Sequence, residues 1–338
     1  CPMTDLMEKI VSLAKRRGFI FPANELYGGL AGVYDYGPLG SLVKNNLKNS
    51  WLDKFVHART DMHLLDSAIV MDSKPLTASG HVGGFSDPLV TDLETGKDHR
   101  ADHLLEEAGV SVDGMSIDDM TYALTENNIV SPAGNPLGPV REFNLMLKTQ
   151  LGSSSDSSAT AYLRPETAQG IFVNYKNVID SMHPKMPFGI AQVGKAYRNE
   201  ITPRNFIFRL RELEQMEVEY FIHPDEWGQF FEYWKDEMLE WADAIGVDMN
   251  KLHEVEIGPE DRAHYSDRTI DFEFEYPFGQ KELWGLAYRT DYDLAKHAEA
   301  SKTKLQYTDD ARGETFVPHV IEPSLGLERT LLAVLLSA

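Results

Sequence analysis

The chain has 338 residues, 42 % hydrophobic and 25 % charged, which suits one large or two modest globular domains with a sizeable core. A formal net charge of −21 argues against a simple basic nucleic-acid binder, although net charge does not report a local patch. The single cysteine, Cys1, excludes an internal disulfide and a Cys-based zinc knuckle, and no apolar run reaches the ~18 residues of a membrane span.

One thiol suits a reducing compartment, and no signal peptide opens the chain, so a cytoplasmic protein is expected. Residues 4–17 (TDLMEKIVSLAKRR) read as a helix. Thr4 is its candidate N-cap, and Leu6, Ile10, Val11 and Leu13 share a face. A turn-rich stretch, PANELYGGLAGVYDYGPLG, follows. A second helix starts at Pro38, with Leu39, Leu42, Val43, Leu47, Trp51, Phe55 and Val56 at steps of three and four. HLLDSAIVMDSKP reads as extended up to Pro75.

Residues 88–160 are acidic and loop-rich, with short helical runs at HLLEEA and DDMTYALTEN. They read as an insertion that ends in a flexible loop, GSSSDSSAT, at 152–160. GIAQVGKAY and FRLRELEQMEVEYFI then read as strands joined through ITPRN. In the second strand Met216, Val218 and Tyr220 alternate with Glu217 and Glu219. Residues 224–246 read as an aromatic-rich helix. TIDFEFEYPFG alternates again, with Ile270, Phe272, Phe274 and Tyr276 on one face, and the chain ends on an apolar helix. Alternating strands with hairpin turns predict an α+β fold, an antiparallel sheet flanked by helices. Neither GxxxxGK[ST] nor GxGxxG occurs, so a nucleotide would bind without a P-loop or Rossmann turn.

Three clusters could carry chemistry. Arg198 and Glu200 would share one strand face, as would Arg209 and Arg211, and a hairpin would join them into a phosphate-binding platform. A cross-strand salt-bridge ladder fits the same spacing. In the second cluster, Pro323, Ser324 and Gly326 would form a strand-to-helix turn that aims a helix start and Arg329 at an anion. Taken alone, the spacing fits an ordinary capped helix start better, with Glu328 on the first-turn dipole. In the third, Glu166 of RPETAQG, Glu217 and Glu282 could bind an ammonium group, though 53 acidic residues make surface carboxylates common here.

In this order the clusters resemble motifs 1, 2 and 3 of class II aminoacyl-tRNA synthetases: YDYGPLGSLVKNNLKNSW, KAYRNEITPRNFIFRLRELEQMEVEYF and EPSLGLER. LAKRRGFIFP, ELYGGLAG, SGHVGGFSDP, HRADHLLE, REFNLML, YLRPETAQGIFVNY and RTDYDLAKH resemble phrases of the dimeric, single-chain glycyl-tRNA synthetase family. The resemblance runs from about residue 7 to the end.

It implies a class II synthetase-like fold, a motif 1 homodimer, and activation of glycine with ATP and Mg²⁺ before transfer to tRNA(Gly). It implies that Arg198 grips the α-phosphate and the reacting carboxylate. Glu200 would lie at the adenine amino group, with Asn199 beside it, and Phe208 would stack on adenine. Arg209 and Arg211 would lie at the ATP tail or orient their strand. Glu282, Leu283 and Gly326 would line the ATP site, and Arg329 would hold the γ-phosphate. Glu166, Glu217 and Glu322 would surround the glycine ammonium, with Arg100, Arg289 and Ser324 nearby. Arg198, Glu200 and Arg329 would be the catalytic set.

Many relatives carry Cys-x-x-Cys pairs near HRAD and REFN. This chain reads TDLETGKDHR and VSPAGNPLGPVREF there, so no structural zinc is expected. The family continues past motif 3 into an anticodon-binding domain, whereas this chain ends nine residues after Arg329. Two rival readings are a non-catalytic synthetase-like binding protein and a class II synthetase for another small amino acid. Retention of Arg198, Glu200 and Arg329 opposes the first. The carboxylates at Glu217 and Glu322 oppose the second.

Overall fold

A computed structural model describes residues 2–112, 114–152 and 160–338. The loop expected at 152–160 falls mainly on 153–159, outside the described residues.

The centre is a seven-stranded sheet. Its strands are β1 (Met62–Leu64), β2 (Phe188–Tyr197), β3 (Glu212–Ile222), β4 (Leu252–Glu256), β5 (Arg268–Tyr276), β6 (Gly279–Thr290) and β7 (His319–Gly326). The spatial order is β4-β5-β6-β7-β3-β2-β1, antiparallel throughout except for the β2–β1 edge.

Period-two alternation gives the sheet two unlike faces. On the first, Met216, Val218, Tyr220, Ile270, Phe272, Phe274, Trp284, Leu286, Ile321 and Leu325 join one apolar core. Helix Pro38–Leu52 and its continuation Asp53–His57 cover it with Leu47, Trp51, Phe55 and Val56. Helix Trp227–Ala244 adds Phe231, Trp234 and Trp241, and helix Leu327–Ser337 adds Leu331 and Leu332. The second face is apolar only at one end, where helix Ala168–Met182 packs Ile171, Phe172 and Tyr175 on Phe188, Ile190 and Phe221. Toward the other end it carries the buried polar side chains Gln192, Gln215, Glu217, Glu219, Glu322 and Arg289. An antiparallel strand ordinarily turns its polar side to water. Here both faces are covered, so the alternating glutamates of β3 are interior.

Between Ser86 and Asn144 three short strands, Ser86–Thr91, Asp98–Arg100 and Arg141–Asn144, pair into a small sheet. With helices Ala101–Glu107 and Ile117–Glu126 they bury a core of their own around Val90, Leu105 and Leu124. Lys148–Gln150 instead pairs with Thr160–Leu163, which pairs in turn with Val70–Asp72.

Several local expectations change. The first helix spans Pro2–Arg16, so Thr4 lies inside it, because Pro2 is tolerated in a first turn. Its Leu6, Val11 and Leu13 are exposed, and Met7 and Ala14 pack inward instead. The extended stretch stops at Asp72, whose carboxylate caps helix Ser73–Ala78 by accepting from Lys74 N at 2.8 Å. Pro323 and Ser324 belong to β7, and Gly326 alone joins strand to helix. Arg198, Arg209 and Arg211 lie just outside β2 and β3 rather than within them.

Candidate active site

The polar end of the second face opens into a cavity of about 600 Å³. Strands β3, β5, β6 and β7 form its floor, and the short helix His81–Gly84 and the segment 261–265 form its sides.

One end is cationic. Arg198, one residue past β2, donates from Nε to Pro165 O at 3.0 Å and lies over the Phe85 ring. Arg209 faces Glu200 across 3.9 Å. That is too long for a hydrogen bond, and Arg209 Nη1 and Glu200 Oε2 are buried without hydrogen-bond partners. Arg329, in the first turn of the last helix, donates from Nη1 to Glu282 O and Oε2, both at 2.9 Å. Its guanidinium lies 4.3 Å from the centre of the Phe208 ring. Tyr276 and Phe278 meet the same ring edge-on at 5.0 Å. Arg329 therefore covers the ring on which adenine was expected to stack, and it is tied to Glu282 rather than open to a phosphate. The charge of Arg329 holds the Glu282 carboxyl below the usual range. Asp271 lines the same end. Burial, then Glu282 and Glu273, push its carboxyl up to about 7 against the pull of Arg329.

The other end is anionic and deep. Glu217 accepts from the Thr167 hydroxyl and from Ser324 Oγ at 2.8 Å. Burial and the neighbouring Glu166 raise its carboxyl above the usual range, against those two hydroxyls. Glu166 lies 3.3 Å from His81 Nε2 and accepts from Gln169 Nε2 at 3.2 Å. Burial opposes its charge, but His81, Arg289 and Arg198 hold it below the carboxylate range. Glu322 accepts from Arg289 Nη1 at 2.7 Å. Gly80 places His81 on this wall: its φ of +89° begins the His81 helix in a left-handed turn that glycine adopts without steric cost.

The cavity thus gathers Arg198, Glu200, Phe208, Arg209, Glu282, Leu283, Gly326 and Arg329 with Glu166, Glu217, Glu322 and Ser324. Glu282 belongs to the cationic end and not with Glu166 and Glu217. Four expected residues do not line the cavity. Arg211 braces the loop by donating to Glu200 O and Ala31 O. Asn199 is held through its backbone N–H to Leu145 O. Arg100 is paired with Asp87 at 2.8 Å and with Asp102. Arg289 lies beneath the floor, bound to Asp293 and Glu322 and 3.7 Å from the Tyr265 ring centre. Sequence reasoning assigned no role to His81, Phe85, Gln215, Tyr265 or Asp271, all on the wall. Asp271 had a signal, a short acid on the polar side of the TIDFEFEY alternation.

The family model for the tRNA synthetase class II core domain (G, H, P, S and T) matches residues 150–337. The glycine–tRNA ligase of Acetivibrio thermocellus is 48 % identical over 98 % of this chain and 74 % of its own length. That of Geobacillus thermodenitrificans is 47 % identical over 99 % of this chain and 74 % of its own. A solved structure of Giardia lamblia prolyl-tRNA synthetase with prolyl-adenylate superposes with a TM-score of 0.64 at 14 % identity, over 98 % of this chain and 51 % of that one. The last likeness concerns the fold, whereas the identities over nearly the whole chain place it more narrowly: it belongs to the glycine–tRNA ligase family of class II aminoacyl-tRNA synthetases.

Proposed function

We propose that this chain activates glycine with ATP and passes it to the 3′ end of tRNA(Gly). The observation that carries the reading is one cavity with arginines at one end and buried carboxylates at the other. It matches a zwitterion whose carboxylate must meet a triphosphate.

Glu166, Glu217 and Glu322 hold the glycine ammonium, and Ser324 and Thr167 hold Glu217 in place. The glycine carboxylate then points toward Arg198. One of its oxygens attacks the α-phosphorus, the bond from that phosphorus to the bridging oxygen breaks, and pyrophosphate leaves. Arg198 and Arg209 stabilise the charge that develops. Adenine enters between Phe208 and Arg329 once the guanidinium lifts from the ring, and Glu200 lies at its edge. Asp271 and Glu282 offer hard oxygen donors on this wall and would hold the Mg²⁺ that accompanies ATP, which would neutralise phosphate charge. No side chain acts as a nucleophile; catalysis is positioning plus charge stabilisation. Selectivity is steric: a side chain larger than hydrogen has no room among the carboxylates, and a smaller competitor does not exist.

A homodimer through the Pro38 helix and the preceding turns is part of this reading. It is supported by Leu26 and Tyr27, 96 % and 92 % exposed, and by exposed Leu39 and Leu42 beside them. The insertion expected at 88–160 corresponds, in the same reading, to the lobe between Ser86 and Asn144.

Amino-acid-dependent ATP–pyrophosphate exchange with glycine, alanine and serine tests the activity. Exchange with glycine alone is expected. Exchange with none of them, from protein that binds ATP, would favour a non-catalytic binding protein.

A further inference from the structure

One buried acid near the cavity is used neither by its wall nor by the scaffold. Glu219 of β3 is 0 % exposed, and neither carboxyl oxygen has a hydrogen-bond partner. The pairs Glu217↔Ser324 and Tyr220↔Ile321 set Glu219 opposite Glu322 across β3 and β7. One carboxyl oxygen each of Glu217, Glu219 and Glu322 lie within 4.8 Å of one another. Like charges directly opposed on a sheet repel, and burial without partners disfavours an ionised carboxylate.

The neighbouring charges do not relieve it. Glu217 is on its own strand, Glu322 on β7, Arg289 on β6, and Asp293 on helix Tyr292–Ser301. Arg289 is already committed, through Nε and Nη2 to Asp293 and through Nη1 to Glu322. In front, Glu166, His81 and Tyr265 close the pocket. Behind, His297 reaches Asp293 only through Gln169. Burial, then Glu322, push the Glu219 carboxyl well above the usual range, against Arg289.

We propose that Glu219 is the proton-holding acid of the amino-acid pocket: neutral while the pocket is empty, it releases its proton when a ligand's ammonium group enters in front of it. The inference rests on the glycine reading and deepens it. The exchange balances, since one proton leaves the Glu219 carboxyl for solvent and one fixed positive charge arrives beside Glu217 and Glu322. Glu219 is a positioning residue, because Glu217 and Glu322 line the cavity and Glu219 lies behind them. Its neutral form limits the acid–acid repulsion of the empty pocket. Its ionisation makes occupancy depend on a cation, so uncharged isosteres of glycine are refused.

The test is calorimetry at pH 6.5, where an α-amino group is already protonated, in buffers of different ionisation enthalpy. The probes are 5′-O-(glycylsulfamoyl)adenosine and adenosine 5′-sulfamate, which lacks the glycyl group. Wild type should release about one proton with the first and none with the second. Glu219→Gln should bind the glycyl compound within severalfold of wild type and release none. Wild-type glycine KM should fall about tenfold per pH unit until Glu219 titrates, with kcat flat, and the Glu219→Gln profile should lose that slope. If Glu219→Gln fails to fold, Glu219→Met, apolar and of similar volume, gives the same two readouts. Binding of the glycyl compound without proton release, or equal release from either variant, would overturn the role of Glu219 and leave the glycine reading intact. Wild type that binds the sulfamate but not its glycyl derivative would overturn the glycine reading, and this inference with it.

Discussion

Ser324 faces Glu217 across the paired strands β7 and β3, and its hydroxyl donates to Glu217 Oε1 at 2.8 Å. With Thr167 on the other oxygen, this contact orients a buried carboxylate toward the cavity. Glu217→Ala removes the charge that the ammonium meets and leaves two hydroxyls to rebond. The fold should persist, and glycine KM in the exchange assay should rise about 100-fold, the size of a lost charge-assisted hydrogen bond. A normal KM would refute the assignment of Glu217.

Arg329 combines stacking on Phe208 with a fork to Glu282. Lysine keeps the charge but loses the plane and the fork. Arg329→Ala should lower kcat/KM for ATP by about 100- to 1,000-fold, and Arg329→Lys should recover less than about a tenth of the loss. Equal activity of the lysine variant and wild type would reduce Arg329 to a point charge.

Asp271 gives a pH signature of stability. Its folded carboxyl is pushed up to about 7, above its ordinary 3.8, so the folded state holds the proton more tightly. The resulting stabilisation is full below about pH 4 and is lost as pH rises through 7. Asp271→Asn stays neutral at every pH. Relative to wild type its advantage should grow from about pH 4 to 7 and level off above, at about 1–2 kcal/mol after allowance for solvent screening. Thermal melts of both proteins from pH 4 to 8 check this, and parallel melting curves across that range would refute it.

Gly40 sits where the Pro38 helix crosses the preceding chain. A Cβ there would lie 1.8 Å from the Phe19 carbonyl oxygen, a backbone atom that cannot turn away. Gly40→Ala should cost about 3 kcal/mol and lower Tm by several degrees. Glycine KM should stay unchanged in the folded fraction, because the cavity walls are built elsewhere.

Structural zinc is not expected, since Cys1 is the only cysteine and the Ser86–Asn144 lobe has an apolar core of its own. Dialysis against EDTA should leave Tm unchanged, and elemental analysis should find no stoichiometric zinc. A fall in Tm on chelation would contradict both.

The sequence alone determined the elements that rest on local periodicity and the residues that rest on ordered motifs. The alternations at 216–220 and 270–276 carry the two-faced sheet, because strand period is a property of neighbouring residues. The joint order of RNE, FRLRE and EPSLGLER carries most of the arginine-and-carboxylate cavity. Whether a residue reaches that cavity was decided by the tertiary structure. Arg211 and Arg209 are two positions apart, yet the chain between β2 and β3 is irregular, so strand parity does not place them. Arg289 and Glu322 lie 33 residues apart, and only the β6–β7 register brings them together. His81 reaches the wall from a four-residue helix and Tyr265 from a distant loop, neither with a periodic signal. The burial of Glu219, which reads as an ordinary solvent-side glutamate, follows from helices covering the second sheet face. Local sequence sets which side of a strand a residue occupies, and long-range packing sets whether that side meets water.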